Sequence, residues 1–220
     1  MADEQLGDKF FKTDKGEYGH GDLFLGVRAP KIRLIAKKHI DISITDMKTL
    51  IQSKYHEERF LGLIILVNKY AKTKDKKNRN QLYKIYVSSF KYINNWNLVD
   101  VTCPHVTGKH LIDKDRTILY KWAKSEDLWT KRIAMVSTFS FIRKNDLEDT
   151  FKIAEILLHD EHDLIHKAVG WMLREAGKRD IKKEETFLKK YYKTMPRTML
   201  RYAIEKFPET KRQKYLKGTI

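Results

Sequence analysis

The sequence predicts an all-α protein, and three observations support that fold class. Apolar residues recur with the period of an amphipathic helix rather than with the alternation of a strand. Proline, which ends or kinks helices, occupies only four of the 220 positions. Five related segments recur at intervals of 34 to 37 residues, a spacing typical of stacked helical pairs.

Each predicted helix is a segment with helical periodicity between turn residues. In the first half of the chain these segments are Pro30 to Lys38, which starts at a proline, Ile44 to Ser53, Glu57 to Ala71, Asn78 to Ile93, and Asn97 to Leu111, interrupted or restarted at Pro104. In the second half they are Arg116 to Lys124, Leu128 to Arg143, Leu147 to His159, Leu164 to Lys178, Lys183 to Lys193 and Arg197 to Phe207. Asp127 and Asp163 are the expected N-caps of the helices that follow them, because a carboxylate there accepts a first-turn N–H.

The recurring segments are the second helices of successive helical pairs. They begin at Glu58 (ERFLGLIIL), Asn95 (NWNLVDV), Lys131 (KRIAMV), His166 (HKAVGWML) and Leu200 (LRYAIEK). Such pairs stack into an α-solenoid of HEAT-like two-helix repeats, although these repeats are shorter than the usual ~40 to 47 residues. Because corresponding helices of a solenoid line one surface, we expect a C-shaped molecule with a basic concave face. A plain helical bundle is the alternative, since the repeats share pattern more than identity.

Composition indicates a globular domain spanning residues 1–220, and its charge favours a polyanionic partner. The 45 Lys and Arg residues against 29 Asp and Glu give a net charge of +16, spread along the chain. Nucleic acid is the most frequent partner of such a body. A generally basic proteome or an anionic membrane surface would explain the same charge. The single Cys103 rules out an internal disulfide.

The sequence predicts a cytoplasmic protein, associated with the nucleoid if it is bacterial. The start, MADEQLGDKF, shows neither an apolar signal segment nor an Arg-rich transit pattern. The most apolar run, Leu61 to Val67, is too short to cross a membrane. We expect a monomer, because the sequence gives no evidence for oligomerisation. We expect no cofactor, and the sequence contains no Gly-rich phosphate loop, no Ser-His-Asp pattern and no GxSxG elbow.

Two tryptophan-containing stretches are the strongest functional signals. In NNWNLVD, Trp96 and Asp100 stand four residues apart and would share one face of a helix. A tryptophan anchoring a helix start in the core, with an aspartate serving the first turn, would have the same pattern. In HKAVGWMLREAGKR, one helical face carries Lys167, Trp171, Arg174 and Lys178, and the opposite face is apolar. A solvated basic face is the alternative there.

Two further features have competing interpretations. Arg132, near the start of an apolar helix, would clamp a phosphate or pair with Glu126 or Asp127. Gly170, inside a helix, indicates close approach of a ligand or of another backbone.

A cluster of potential metal ligands consists of His159, Asp160, Glu161, His162, Asp163 and His166. We predict no metal there, because the segment spans a turn and a helix start where acidic residues serve as caps.

The motifs NNWNLVD, LWTKRIAMVSTFSFIRK and DLIHKAVGWMLREAGKRD together resemble the AlkD-type DNA glycosylases, the HEAT-like repeat family of DNA alkylation repair enzymes. The resemblance extends from Phe24 to Glu209. It implies excision of cationic N-alkylated purines, such as 3-methyladenine and 7-methylguanine, from duplex DNA, without flipping the base into a pocket. It also implies that Asp100 is the catalytic carboxylate, that Trp96 and Trp171 flank the deoxyribose, and that Arg132 and Arg174 lie near the DNA backbone.

The predicted solenoid would bring Trp96, Asp100, Arg132, Trp171, Arg174 and Arg201 onto one wall, where Lys131, Lys167 and Lys178 add phosphate contacts. A non-catalytic HEAT-like scaffold that binds nucleic acid is the competing class. A protein–protein adaptor fits the net charge of +16 poorly. One departure from the family is the short sequence ahead of Phe10, so Phe10 and Phe11 are the aromatic residues to test for lesion contacts.

Overall fold

The computed structural model describes residues 11–220, and within this range the regular structure is helical. The all-α prediction is confirmed. Pairing of the β type in the described range is limited to an isolated bridge between Leu23 and Tyr55. The chain divides into two compact units, Met1–His110 and Leu111–Ile220.

The first unit is organised around its longest helix. Its helices are α1 (Ala29–Lys38), α2 (Ile44–Ile51), α3 (His56–Lys72), α4 (Lys76–Ser88), α5 (Trp96–Asp100) and the start of α6 (Lys109–Leu111). Helix α3 packs against α1, α2 and α4 and contributes Leu63, Ile65 and Leu66 to the core. Burial of each such side chain contributes roughly 1.5 to 3 kcal/mol. A π-helical turn, Pro104–Gly108, interrupts the segment that the sequence predicted to break at Pro104.

The second unit is organised around α11. Its helices are α7 (Thr117–Ala123), α8 (Leu128–Ser137), α9 (Phe139–Ile142), α10 (Glu148–Ile156), α11 (Asp163–Gly177), α12 (Ile181–Tyr191), α13 (Arg197–Ala203) and α14 (Glu209–Lys217). Helix α11 contacts α8, α12 and α13 most extensively. A Cβ atom built on Gly170 would lie 2.4 Å from the Met199 carbonyl oxygen and 2.5 Å from Tyr202 Cβ. The predicted close approach is therefore to the backbone of α13.

Several predicted boundaries are wrong in detail. The helix expected to end at Ile93 ends at Ser88 and is followed by a 3₁₀ turn, Phe90–Tyr92. The helix expected to continue to Arg143 is divided after Ser137. Helix α14 was not predicted, because a segment rich in Lys and Arg that buries only Tyr215 lacks an apolar stripe.

One of the two predicted caps is confirmed and the other is corrected. Asp127 accepts a hydrogen bond from the Thr130 amide, as expected of an N-cap. At α11 the cap is His162, whose Nδ1 accepts from the Leu164 amide at 3.1 Å. Asp163 is instead the first helical residue, where its charge favours the helix N-terminus.

None of the helices in the described part of the chain combines the length and the apolar composition that a membrane crossing requires.

The second unit buries an acidic side chain between its helices. Glu184 is 1% exposed and its Oε1 has no hydrogen-bond partner among the described residues. Its Oε2 lies where a side chain on Gly177 would begin, 1.6 Å from an ideal Cβ. Burial, assisted by the charge of Glu185 and opposed by those of Arg174 and Lys211, raises the pKa of Glu184 to about 8. The packing therefore favours the neutral acid.

We predict that Glu184→Gln flattens the pH dependence of stability. Between the ordinary pKa of 4.5 and the folded pKa of about 8, the folded state binds more protons at this site than the unfolded state. The stabilisation is therefore complete below pH 4.5 and is lost as the pH rises towards 8. Urea unfolding across this range should show a loss on the order of a few kcal/mol in the wild type, and little in Glu184→Gln. Glu161→Gln, at an exposed position, should retain the wild-type slope; an unchanged slope in Glu184→Gln would contradict the assignment.

Candidate functional site

Trp96 and Asp100 lie at the two ends of α5, so their side chains share one helical face as their spacing predicts. The opposite side of this short helix is fixed by Leu98 and Val99, which are fully buried. Trp96 and Asp100 are both half-buried. The sequence therefore places an indole and a carboxylate side by side on a helix that is anchored in the core.

Asp100 lies close to the apolar interior of the first unit. Burial raises the pKa of Tyr86 well above its usual value, and the charges of Cys103 and Asp100 add to the effect, while a hydrogen bond with Thr102 opposes it. The Tyr86 hydroxyl and Thr102 Oγ1 are 2.7 Å apart. A carboxylate that is partly removed from water interacts more strongly with a nearby cation than one in bulk solvent.

The indole of Trp96 is held by the segment that precedes α1. Its Nε1 donates a hydrogen bond to the hydroxyl of Tyr18 at 3.1 Å. Its ring centroid lies 5.8 Å from that of Phe11. Phe11, a candidate for lesion contacts, therefore lies beside Trp96. The other candidate, Phe10, lies outside the described residues. Tyr18 was not predicted, because the loop that carries it has no periodicity.

Beside Trp96, the first unit contains a pocket of about 520 Å³. Aromatic rings and aliphatic side chains form most of its wall, and two arginines line it as well. The lining residues are Phe11, Phe24, Val27, Arg28, Ala29, Pro30, Ile32, Arg33, His56, Glu57, Phe60, Trp96, Asn97 and Val101. We refer to this feature as the aromatic pocket.

Glu57 fixes the loop that forms one wall of the aromatic pocket. Its carboxylate accepts hydrogen bonds from the amides of Leu25 and Gly26, each at 2.9 Å, and from the amide of Val27 at 3.3 Å. Gly26 has a φ of 67°, a left-handed conformation that glycine adopts without strain. Phe24, in the same loop, is thereby held against the rings of Phe11 and His56.

A charged network lies beneath the aromatic pocket. Arg59 donates to Asp22 at 2.7 Å and to the amide oxygen of Asn94 at 3.0 Å. His56 Nδ1 lies 3.5 Å from Asp22 Oδ2. Burial opposes ionisation of Asp22, but the contacts with His56, Arg59 and Asn94 outweigh it and lower the pKa of Asp22. The loop, α3 and the connection before α5 are therefore linked by a buried ion pair.

In the second unit, α11 has the two faces that the sequence predicts. The apolar face, consisting of Ile165, Ala168, Val169, Met172, Leu173 and Ala176, is fully buried. Trp171 on the other face is half-buried and packs on Phe139, with ring centroids 5.7 Å apart. The guanidinium of Arg143 lies 4.3 Å from the Phe139 ring centroid. Trp171 thus packs against the ring of Phe139, and Arg143 makes a cation–π contact with that same ring.

Most of the predicted phosphate-binding cations have acidic partners within the second unit. Lys167 pairs with Asp163 at 2.6 Å, and Lys178 pairs with Glu175 at 2.7 Å. Arg174 pairs with Glu205 of the turn after α13, and its Nε is 3.7 Å from Glu175. Lys131 pairs with Asp160. Arg201 differs from these four, since it is exposed and makes no ion pair with the described residues.

Arg132 is 5% exposed, and its guanidinium donates to the Leu164 carbonyl. The two roles weighed for it from the sequence, a phosphate clamp and a pair with Glu126 or Asp127, stay predictions beside this contact. The hydrogen bond joins α8 to the start of α11. A phosphate could bind Arg132 only if the side chain gave up this buried position.

The histidines in the turn before α11 and in its first residues make contacts that stabilise the start of this helix. His162 caps the helix, and burial lowers its pKa despite the nearby charges of Asp160 and Asp163. His166 contacts the carbonyl of Asp160. Among residues 11–220, no three His, Cys, Asp or Glu side chains are grouped to hold a metal ion.

Comparison with known proteins identifies a family. Residues 4–207 match the model of the family described as DNA alkylation repair enzyme. A predicted DNA alkylation repair enzyme from Enterococcus faecalis shares 15% identity and a TM-score of 0.72, over 95% of this chain and 98% of that one. AlkD2 from Streptococcus mutans shares 17% identity and a TM-score of 0.61, over 82% and 90% of the two chains. The protein smu.31 from Streptococcus mutans UA159 shares 17% identity and a TM-score of 0.60, over 81% and 92%. No curated protein is significantly similar in sequence.

Proposed function

The chain belongs to the family of DNA alkylation repair enzymes, and from this premise we propose that it is a monofunctional DNA glycosylase acting on cationic N3- or N7-alkylated purines in duplex DNA. The observation that carries the proposal is the pairing of Trp96 and Asp100 on one face of α5, opposite the side that Leu98 and Val99 anchor in the core. In the proposed roles, Asp100 is the catalytic carboxylate, and Trp96 and Trp171 flank the deoxyribose. The reaction leaves an abasic site.

The chemistry suits a site with one carboxylate and no cofactor. Alkylation at N3 or N7 gives the purine a positive charge, so the base departs without protonation by the protein. The bond between C1′ and the base nitrogen breaks, and its electron pair neutralises the departing base. The sugar becomes oxocarbenium-like and is stabilised by the Asp100 carboxylate. Water then adds to C1′ and its proton passes to Asp100 or to solvent.

The tryptophans are proposed to assist through their ring faces. A cationic sugar or base over an indole gains roughly 0.5 to 2 kcal/mol from cation–π attraction. The Tyr18 hydroxyl fixes Trp96 through its Nε1, and Phe139 supports Trp171 from within the second unit. Both indoles are therefore held in place within their own units.

Affinity for DNA is proposed to come from the excess of Lys and Arg. Among the predicted contacts, Arg201 is the best placed to bind a phosphate, because it is exposed and unpaired within the described residues. Lys131, Lys167, Arg174 and Lys178 would have to exchange or share an acidic partner. We do not assign a phosphate to the buried Arg132.

A base-release assay separates this function from the competing one, a non-catalytic scaffold that binds nucleic acid. The substrate is duplex DNA carrying 7-methylguanine or 3-methyladenine, and the free base is quantified by chromatography. A glycosylase releases free base and leaves strands that alkali cleaves at the abasic site. A scaffold binds the same duplex and releases nothing above the spontaneous rate.

We predict that Arg201→Ala weakens binding to any duplex and reduces the slope of log affinity against log salt by about one, because one phosphate contact is lost. Fluorescence anisotropy at several salt concentrations measures the slope. Lys121→Ala, an exposed cation on α7, is the matched control for net charge. An identical slope in Arg201→Ala and the wild type would remove Arg201 from the DNA contacts.

A further inference from the structure

We propose that the turn between α3 and α4 binds the phosphate backbone of duplex DNA, as a second contact about 25 Å from Trp96. We refer to residues 69–79, which contain this turn, as the basic turn. The inference rests on the proposed function in taking duplex DNA as the partner, and it extends the contact beyond the face of α5 that carries Trp96 and Asp100.

The basic turn carries a dense positive charge without ionic partners. Its eleven residues include six cations and one acid, which leave a net charge of +5. The cations are Lys69, Lys72, Lys74, Lys76, Lys77 and Arg79. None of them forms an ion pair with a described residue, and all except Lys69 are exposed. The acid, Asp75, is the N-cap of α4 and accepts a hydrogen bond from the Asn78 amide at 2.7 Å.

Two of these cations occupy positions where a helix disfavours them. Lys76 and Lys77 are the first two residues of α4, and no acidic residue accompanies them in its first turn. The N-terminus of a helix carries a partial positive charge, so a cation there is destabilising and an anion is stabilising. A partner that supplies negative charge would therefore stabilise this end of α4.

Contacts with the core hold the basic turn in place. Arg79 Nε donates to the Thr73 carbonyl at 2.8 Å, and its guanidinium lies 5.7 Å from the ring centroid of Tyr70. Tyr70 is buried, and its hydroxyl lies 3.2 Å from His110 Nδ1. The terminal nitrogens of Arg79 make no hydrogen bond with the described residues, so they are available to phosphate oxygens. Binding of a phosphate therefore needs little ordering of the turn.

The basic turn and the aromatic pocket lie at opposite ends of α3. His56, the first residue of this helix, lines the pocket with Trp96, and Lys72 is the last residue. At about 1.5 Å per residue, the 17 residues of α3 separate its ends by roughly 25 Å. Successive phosphates of one strand are about 3.4 Å apart along a duplex, so this distance corresponds to about seven base pairs.

Duplex DNA fits the basic turn better than an anionic membrane surface does. Segments that bind membrane surfaces combine cations with exposed apolar side chains that enter the lipid. The apolar side chains of the basic turn are Tyr70, which is buried, and the small Ala71. Its surface therefore offers charge alone, which a polyphosphate backbone matches.

The test measures binding of the full chain to an undamaged duplex of about 20 base pairs by fluorescence anisotropy at several salt concentrations. Lys76→Ala combined with Lys77→Ala should reduce the slope of log affinity against log salt by about two, since each lost phosphate contact contributes about 0.9. Lys182→Ala combined with Lys183→Ala is the matched control, because these exposed lysines also lie in the first turn of a helix, α12. The control should keep the wild-type slope.

A duplex too short to reach both contacts provides a second readout. A stem of about six base pairs covers roughly 20 Å, which is less than the length of α3. Lys76→Ala combined with Lys77→Ala should weaken binding to the longer duplex at least about fivefold, and to the short stem less than about twofold. Equal losses with both lengths would contradict a second contact at this distance.

A charge reversal at the same positions separates a binding defect from a folding defect. Glutamate near a helix N-terminus is stabilising. Lys76→Glu combined with Lys77→Glu should therefore melt no lower than wild type and bind the longer duplex more weakly than the alanine variant. The proposal is overturned if neither variant changes the salt slope more than the control does. It is equally overturned if the variants lose binding to phosphatidylglycerol vesicles but bind the duplex as tightly as wild type.

The duplex carries no alkylated base, so the result does not depend on excision. An unchanged slope in variants of a protein that releases 7-methylguanine would remove the second contact alone. A reduced slope in variants of a protein that releases no base would keep the contact and remove the glycosylase. The two proposals therefore fail separately.

Discussion

Asp100→Asn should reduce the release of 7-methylguanine from duplex DNA by at least about 100-fold while leaving DNA affinity within about twofold of the wild type. Asparagine keeps the shape of the side chain but removes the charge that stabilises the oxocarbenium-like sugar. Removal of one well-placed electrostatic group from an enzyme typically costs about 10²- to 10³-fold in rate. Single-turnover kinetics with excess protein measures the effect separately from binding.

Asp41→Asn provides the matched control, because it removes one exposed carboxylate of the first unit and changes the net charge equally. It should excise at the wild-type rate. Equal rates for Asp100→Asn and wild type would show that the catalytic carboxylate has been assigned incorrectly. A drop in affinity that matches the drop in rate would assign Asp100 to binding instead of chemistry.

Gly170→Ala should destabilise the second unit by about 2 to 4 kcal/mol, the largest loss of stability that we expect from a single added methyl group. The new Cβ would lie 2.4 Å from a backbone oxygen of Met199 and 2.5 Å from Tyr202 Cβ. Backbone cannot move aside as the end of a flexible side chain can, so α11 and α13 must separate. The gain of roughly 1 kcal/mol in helix propensity from Gly to Ala does not offset this.

Chemical denaturation of the two proteins measures the difference in free energy of unfolding. Lys178→Ala, at the exposed C-terminal end of the same helix, should change stability by no more than about 0.5 kcal/mol. A Gly170→Ala protein as stable as wild type would mean that α11 and α13 are not held at this separation in solution.

The helices of the core could be predicted from sequence because their apolar faces are regular. The apolar face of α11 is an example, since every residue assigned to it is buried. Helix ends were harder to predict, because a histidine can compete with a neighbouring aspartate for the capping position. Helix α14 was not predicted, because one buried residue, Tyr215, does not form an apolar stripe along a helix.

The candidate site was only partly predictable. Trp96 and Asp100 could be paired from their spacing alone, because i and i+4 share a face of a helix. The hydrogen bond from Trp96 to Tyr18 joins residues 78 positions apart, and no local pattern indicates it. Similarly, Asp163 and Lys167 could have been paired from their spacing, whereas Glu205 reaches Arg174 only through the packing of helices.

The Glu57 carboxylate accepts hydrogen bonds from three consecutive amides, so we do not expect the loop at Leu25, Gly26 and Val27 to open and close beside the aromatic pocket. Its release would leave a buried carboxylate and three donors without partners, and each such group costs roughly 1 to 3 kcal/mol. The wall of the aromatic pocket is therefore in place before any molecule enters it, and a molecule that did enter would spend little of its binding free energy on ordering the protein.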